Sequence, residues 1–256
     1  MSVWDNYQER IESKGATKRG AALHREAKWI NMRLSDSLSY FEATVDGIKR
    51  EVAIINSDNL NEKKMISLPG EDFDCGGLVE WADNHWLITE KDANNELYTR
   101  VKLLQCNYLL KWVDSNNIIH EQWCVIEDGT KYLTGEYEDR NFIVTRGDSR
   151  ISMTISKNEF TAKFGREQRF LIDDRDSDGM IAYALTKPLK VGRTYNGKGI
   201  YAFVLQEVVT TDDDNIELGI ADYYKHFPKV TSVDMNNGTT INPDDNVDEQ
   251  GRSVWL

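Results

Sequence analysis

The sequence predicts a mainly β protein with an α-helical N-terminus. An antiparallel small barrel or sandwich comes first, then a second β-sandwich-like unit and an extended C-terminal arm. Three observations carry that prediction. Apolar residues recur at helical spacing as far as Leu34 and with a period of two from Phe41 onward. Short Asn/Asp/Gly turns separate the β segments at close intervals. After Thr211 the composition becomes acidic and polar. The corresponding divisions are an N-terminal helical segment over 1–38, a β-barrel domain over 39–138, a second β domain over 139–211 and an acidic extended arm over 212–256.

The head reads as helix. Trp4, Tyr7 and Ile11 sit at i, i+3 and i+7. Gly15 interrupts, Thr17 is a suitable cap, and Leu23, Ala27, Ile30 and Leu34 continue one apolar stripe at i, i+4, i+7 and i+11. Arg19, Arg25, Glu26, Lys28 and Arg33 lie off it. Two readings stay open: a helix packed on its own domain, or one packed on a neighbouring subunit. The first is the simpler reading; Trp29 lies beside the stripe, which adds some weight to the second. Trp4, Tyr7 and Trp29 are therefore candidate interface residues.

Phe41–Val45, the turn Asp46-Gly47 and Ile48–Ile55 form a first hairpin. Pro69-Gly70 marks another turn. Leu78–Trp81 and His85–Thr89 flank Asp83-Asn84 as a second hairpin, and Leu97, Thr99, Val101 and Leu103 share one face of the next strand. Cys106–Trp112 and Ile118–Ile126 flank Ser115-Asn116-Asn117 as a third hairpin. The boundary falls near Gly135–Asn141, where apolar density drops. Beyond it, Ile151–Ile155, Arg169–Ile172, Met180–Leu185 and Ile200–Val209 read as strands. This unit has the strand count of a small Ig-like sandwich but not its Cys…Trp…Cys signature. Ile216–Phe227 reads as a short helix ending at Pro228, followed by a polar arm over 229–252. The arm ends in Val254-Trp255-Leu256, an apolar tip that is either chance or a hook docking on a partner.

Composition excludes several classes. At 40% hydrophobic and 29% charged, the chain can build a core. Its net charge of −12 argues against wrapping nucleic acid with a basic face. The charge is uneven, with +3 through residue 33 and −7 from 211 to 256. Such a distribution suits two ends that meet different partners, or copies meeting head to tail. No apolar run reaches membrane-spanning length, and the opening residues lack the plan of a signal peptide. The three cysteines, none in a CxxC pair, suit a reducing compartment.

Motifs for chemistry are fragments. His120-Glu-Gln-Trp-Cys124 resembles a zinc HExxH helix, but the β-rich residues around it favour a strand, which sends alternate side chains to opposite faces. Gly192–Gly199 nearly spells a phosphate-binding loop, yet the segment after it reads as a strand, so Asn196-Gly197 is read as a hairpin turn. Asp174-Arg-Asp-Ser-Asp178-Gly179 copies the first half of an EF-hand loop but has Leu185 where the bidentate Glu belongs. Arg146-Gly-Asp148 reads as a polar turn. No histidine has an evident acid–base partner in sequence. The chain is read as a non-enzyme, with no catalytic residue, no metal and no cofactor assigned.

Leu78-Val-Glu-Trp81, Trp86-Leu-Ile-Thr89, Asp92, Asn94 and Tyr98 resemble the barrel segment of tailed-bacteriophage head–tail connector proteins of the head-closure, or stopper, type. Cys106–Trp112, Trp123–Ile126 and Thr130–Thr134 are similar to larger versions from phages and prophages of Gram-positive bacteria, as is the preamble from Arg19 to His24. The resemblance covers about the first half of the chain, and family stoppers are usually shorter. It implies a virion neck protein, made in the host bacterial cytoplasm. Copies would form a homo-oligomeric ring between portal or adaptor and tail proteins and close the DNA channel after packaging. Packaged DNA would pass the lumen without sequence-specific binding, and no membrane is involved. Two alternatives stand beside it. One is a distal-tail, baseplate or capsid-surface β-sandwich protein that binds a neighbour or a host glycan through its seven Trp and eleven Tyr. The other is a metal-dependent hydrolase using Asp173, Asp174, Asp176 and Asp178.

Overall fold

In a computed structural model, the described residues are 3–12, 15, 17–92, 95–128, 150–173, 179–188, 190 and 193–228. Two helices, α1 (Val3–Glu12) and α2 (Lys18–Ser35), precede strands β1 (Tyr40–Val45), β2 (Ile48–Asn56), β3 (Glu62–Ser67), β4 (Leu78–Trp81), β5 (Asn84–Lys91) and β6 (Arg100–Gln105). These six close an antiparallel barrel in the order β1-β2-β3-β6-β5-β4, with Val45 facing Val79 across the closing pair. Period-two alternation fills it: Ala43 and Val45, Val52 and Ile54, Trp86 and Ile88, Val101 and Leu103 all point inward. Mainly β architecture behind a helical N-terminus is therefore what the molecule has.

The hairpin turns follow left-handed backbone preferences. Asp46 and Gly47 have φ of 49° and 78°, the two-residue turn expected for Asp-Gly. In the next hairpin, Trp81 pairs with Asn84, so the turn falls on Ala82-Asp83 and not on Asp83-Asn84. Ala82 takes φ of 52° there, a conformation that favours glycine. The sequence reading also passed over β3. Its Glu-Lys-Lys opening is polar, but Met65 and Ser67 are fully buried, and it bridges β2 to β6.

The second body contains β7 (Tyr108–Val113), β8 (Ile119–Asp128), β9 (Arg150–Ser156), β10 (Arg169–Asp173), β11 (Met180–Lys187), β12 (Thr194–Tyr195) and β13 (Lys198–Val208). It is a single sheet in the order β10-β11-β13-β9-β8-β7, with β12 paired to β13. One continuous pairing path replaces the two facing sheets of an Ig-like sandwich. The β7–β8 hairpin, grouped with the first β domain in the sequence reading, pairs here with β9: Cys124 faces Ile155 and Ile126 faces Met153. The sheet curls until its edges meet at Tyr108, whose hydroxyl donates to the Leu171 carbonyl at 3.3 Å and accepts from the Asp173 amide at 3.1 Å. Inside, Phe164 packs on Trp112 and Phe170 with ring centroids about 5 Å apart.

A tight seam joins the barrel to the second sheet. Gly76, at φ 90°, lies so close to Gly199 that a side chain there would strike the Gly199 backbone, while Gly199 itself lies against the backbone of Arg193 and Thr194. Ser156 donates to the Gly76 carbonyl, and the His85 ring stacks on Trp123 at 4.2 Å. Cys75, Leu87, Cys106, Val125 and Ile200 form an apolar cluster drawn from both bodies. By spatial contacts Met1–His226 form one compact unit and Phe227–Leu256 a second, of which only Phe227 and Pro228 are described.

The predicted helix over Ile216–Phe227 is mostly a turn. Asn215 bridges to Ile220, Gly219 and Asp222 take φ of 68° and 55°, and only Tyr223–His226 make a helical turn. The reason is local: Asp214 draws the Asp222 amide to its carboxylate at 2.8 Å and fixes a non-helical path.

Candidate functional site

The N-terminal helices carry several exposed large apolar side chains, Trp4, Tyr7, Ile11, Trp29 and Met32. Thr17 caps α2 as expected, accepting from the Gly20 amide at 3.0 Å. No residue of α2 is buried. Its stripe residues Leu23, Ala27, Ile30 and Leu34 are only half-buried. At about 100° per residue, Arg25, Lys28, Trp29 and Met32 fall on the side of the helix away from that stripe. There Trp29 is 53% and Met32 62% exposed, and the Arg33 guanidinium sits 4.9 Å from the Trp29 ring centre. In α1, Trp4 and Tyr7 are exposed and meet edge to face at 6.0 Å. Large apolar groups thus lie on opposite sides of one helix, and none of them is buried.

Trp4, Tyr7 and Trp29 thus share one exposed arm. Val254, Trp255 and Leu256 lie outside the described residues, as do the Asp174–Asp178 turn and Arg146-Gly-Asp148. Met32 was missed in the sequence reading. Its signal was present, three residues after Trp29 and off the main stripe, on the same side of a helix.

A second surface follows β13. Arg169, on β10, gathers the chain after Val209 into a fixed loop. Its guanidinium donates to Asp214 at 2.7 and 3.0 Å, to Asp222 at 2.8 Å, to Thr211 at 2.9 Å and to the Val209 carbonyl at 3.0 Å. The Arg169 side chain is 13% exposed and that of Asp214 0%. Burial alone would raise the Asp214 carboxyl. The Asp222 and Thr211 amides and Arg169 outweigh it and hold the group below the ordinary carboxylate value. Around this clasp, Val209, Ile216 and Leu218 stay exposed, together with Asp212 and Glu217. No sequence pattern links Arg169 to residues more than forty positions away.

The chemical fragments acquire structural roles. His120 is on β8, a strand, and its Nε2 lies 3.1 Å from Asp114. Its ring stacks on Trp112 at 5.5 Å and meets the tilted Phe160 ring at 4.1 Å. Asp114 caps the loop after β7, held down to about 2 by the Ile118 amide, the His120 ring and the Asn116 amide. Asn196 and Gly197, at φ 50° and 83°, turn β12 into β13, a hairpin and not a phosphate loop. Burial pushes the Cys106 thiol up to about 12 and raises Cys75 and Cys124 as well, so all three behave as small apolar groups of the interior. Among the described residues, no three His, Cys, Asp or Glu side chains gather in a way that could hold a metal ion, and no helix is long and apolar enough to cross a membrane.

No family model and no curated protein matches the chain. A solved structure of MrkH, titled a c-di-GMP-dependent transcription regulatory factor, is similar at 8% identity over 75% of this chain and 86% of that one. Its TM-score of 0.22 is too low to support any argument about this protein.

Proposed function

We propose that the chain is a structural protein of the tailed-phage neck, one subunit of a ring that joins portal or adaptor to tail and closes the DNA channel after packaging. The observation that supports this reading is the pairing of a two-part β body, a closed barrel and a second continuous sheet, with a helix, α2, none of whose residues that body buries. A ring subunit needs both: a body that does not deform, and an element that reaches a neighbour. The segments that resemble connector proteins supply strands of both bodies, Leu78–Trp81 and Trp86–Thr89 in the barrel and Tyr108–Trp112 in the second sheet. A net charge of −12 also suits a channel through which DNA must slide without sticking.

The test is deletion of the gene from its phage, followed by electron microscopy. The expected outcome is full-length tails detached from heads that have lost their DNA. Intact, infectious particles without the protein overturn the proposal.

A further inference from the structure

Helix α2 carries five Lys/Arg and one carboxylate, Glu26, on a chain that is otherwise strongly acidic. With +3 through residue 33 and −12 overall, the rest of the chain carries −15. Arg19 pairs with Glu96 of the barrel at 2.7 Å. Lys18, Arg25, Lys28 and Arg33 are exposed, and among the described residues none of them forms an ion pair, in spite of that acidity. Their placement matters more than their number. At about 100° per residue, Met32, Arg25, Lys18 and Trp29 follow one another within about 60° of the helix surface, with Lys28 on one flank and Arg33 on the other. Glu26 falls beyond Arg33, at the edge of this face. Cations thus alternate with the exposed Trp29 and Met32 instead of ringing them. A protein interface gathers apolar groups at its centre and is depleted of charge there, lysine included. A phosphate backbone is met by unpaired cations spread over the whole contact, with apolar side chains between them reaching into the groove.

We infer that the outer face of α2 binds duplex DNA through its phosphates, without sequence preference. Shape favours the duplex over a single strand. The outer face of a helix is convex, and the major groove of B-DNA, about 12 Å wide, admits an α-helix, whereas single strands are held in concave grooves. From Lys18 to Arg33 the helix runs about 22 Å, so all four cations fall within one duplex turn of about 34 Å. The acidic body repels the same phosphates, which confines the contact to α2 and makes it weak and salt-dependent, a local touch and not a wrapping surface. The inference goes beyond the neck reading and does not rest on it; within that reading, α2 is the element that touches the DNA of the channel.

The experiment titrates the full-length protein into a short labelled duplex of mixed sequence and follows fluorescence anisotropy from low salt upward. The natural chain should bind, with log K falling against log salt at a slope of about −3 to −4, as for four phosphate contacts. Arg25→Gln with Lys28→Gln should weaken binding about tenfold or more and make the slope shallower by about two. Thermal melting first shows that this variant folds. Lys49→Gln with Arg166→Gln removes two exposed cations of the β body and should leave binding within about twofold. No binding by the natural chain at low salt, an unchanged α2 variant, or equal losses in the two variants would each overturn the inference. Tighter binding to a single strand of the same sequence would overturn the choice of duplex. Displacement of the duplex by polyglutamate at equal charge concentration would make an acidic protein the occupant and overturn it too. None of these results touches the neck assignment, which stands or falls on the deletion particles.

Discussion

Replacing Arg169 with Met tests whether the acidic loop is held by one buried cation. The substitution keeps the volume of the stem and removes five hydrogen bonds at once. Asp222 still has Lys225 at 2.8 Å, so the group left exposed to the loss is Asp214. Its side chain is wholly buried, and among the described residues it retains the Thr211 and Asp222 amides, at 2.7 and 2.8 Å. Breaking a buried pair by removing one partner costs about 3–5 kcal/mol. The two remaining amides place this case at the low end, about 3 kcal/mol. For a domain of this size that corresponds to a fall in Tm of roughly 6–12 °C. Circular dichroism melting gives the shift, and hydrogen exchange shows where it acts: the amides of Thr211 and Asp222 should lose protection while β7–β9 keep theirs. The double variant Arg169→Met with Asp214→Asn should recover part of the loss, because no bare charge is then buried. A Tm within about 2 °C of the natural protein, or unchanged protection at Thr211 and Asp222, refutes the reasoning.

Ala82→Gly should raise stability by about 1 kcal/mol, because Ala82 holds φ of 52° in a two-residue turn; urea unfolding that shows a loss would mean that the alanine methyl packs usefully. Tyr108→Phe should cost about 1 kcal/mol and speed exchange at Leu171–Asp173, since one hydroxyl bridges the edges of the second sheet; equal exchange rates would count against that role. Gly76→Ala should destabilise by about 2 kcal/mol or more, because φ of 90° and the Gly199 backbone both exclude a side chain; a neutral melt would contradict a rigid seam. Acid should weaken the fold through Asp72, Asp114 and Asp214, whose carboxyls are all held below their unfolded values. Their stabilisation is complete above about pH 4 and is lost as pH falls toward about 2, which urea midpoints measured across that window would follow.

Much of the fold was legible locally. Helical spacing through Leu34, the Thr17 cap, Asp46-Gly47 and Asn196-Gly197 each act within a few residues, so reading them requires no knowledge of the rest. The exposed arm was legible in part: Trp29 stood off the stripe, while whether the stripe itself would be covered by the body was open. β3 was not legible, because its strand character comes from two neighbours that pair with it and not from its own Glu-Lys-Lys opening.

The sequence by itself determined a β protein with a helical head, a basic start and an acidic end, since composition and short-range periodicity are properties of the chain. Only the tertiary structure decided that the β7–β8 hairpin joins the second sheet, that Arg169 ties down a loop more than forty residues away, and that α2 is left unburied. Each of these depends on which distant segments share hydrogen bonds and exclude water together. Pairing over such separations is fixed by the sum of many weak contacts, and no local pattern records that sum.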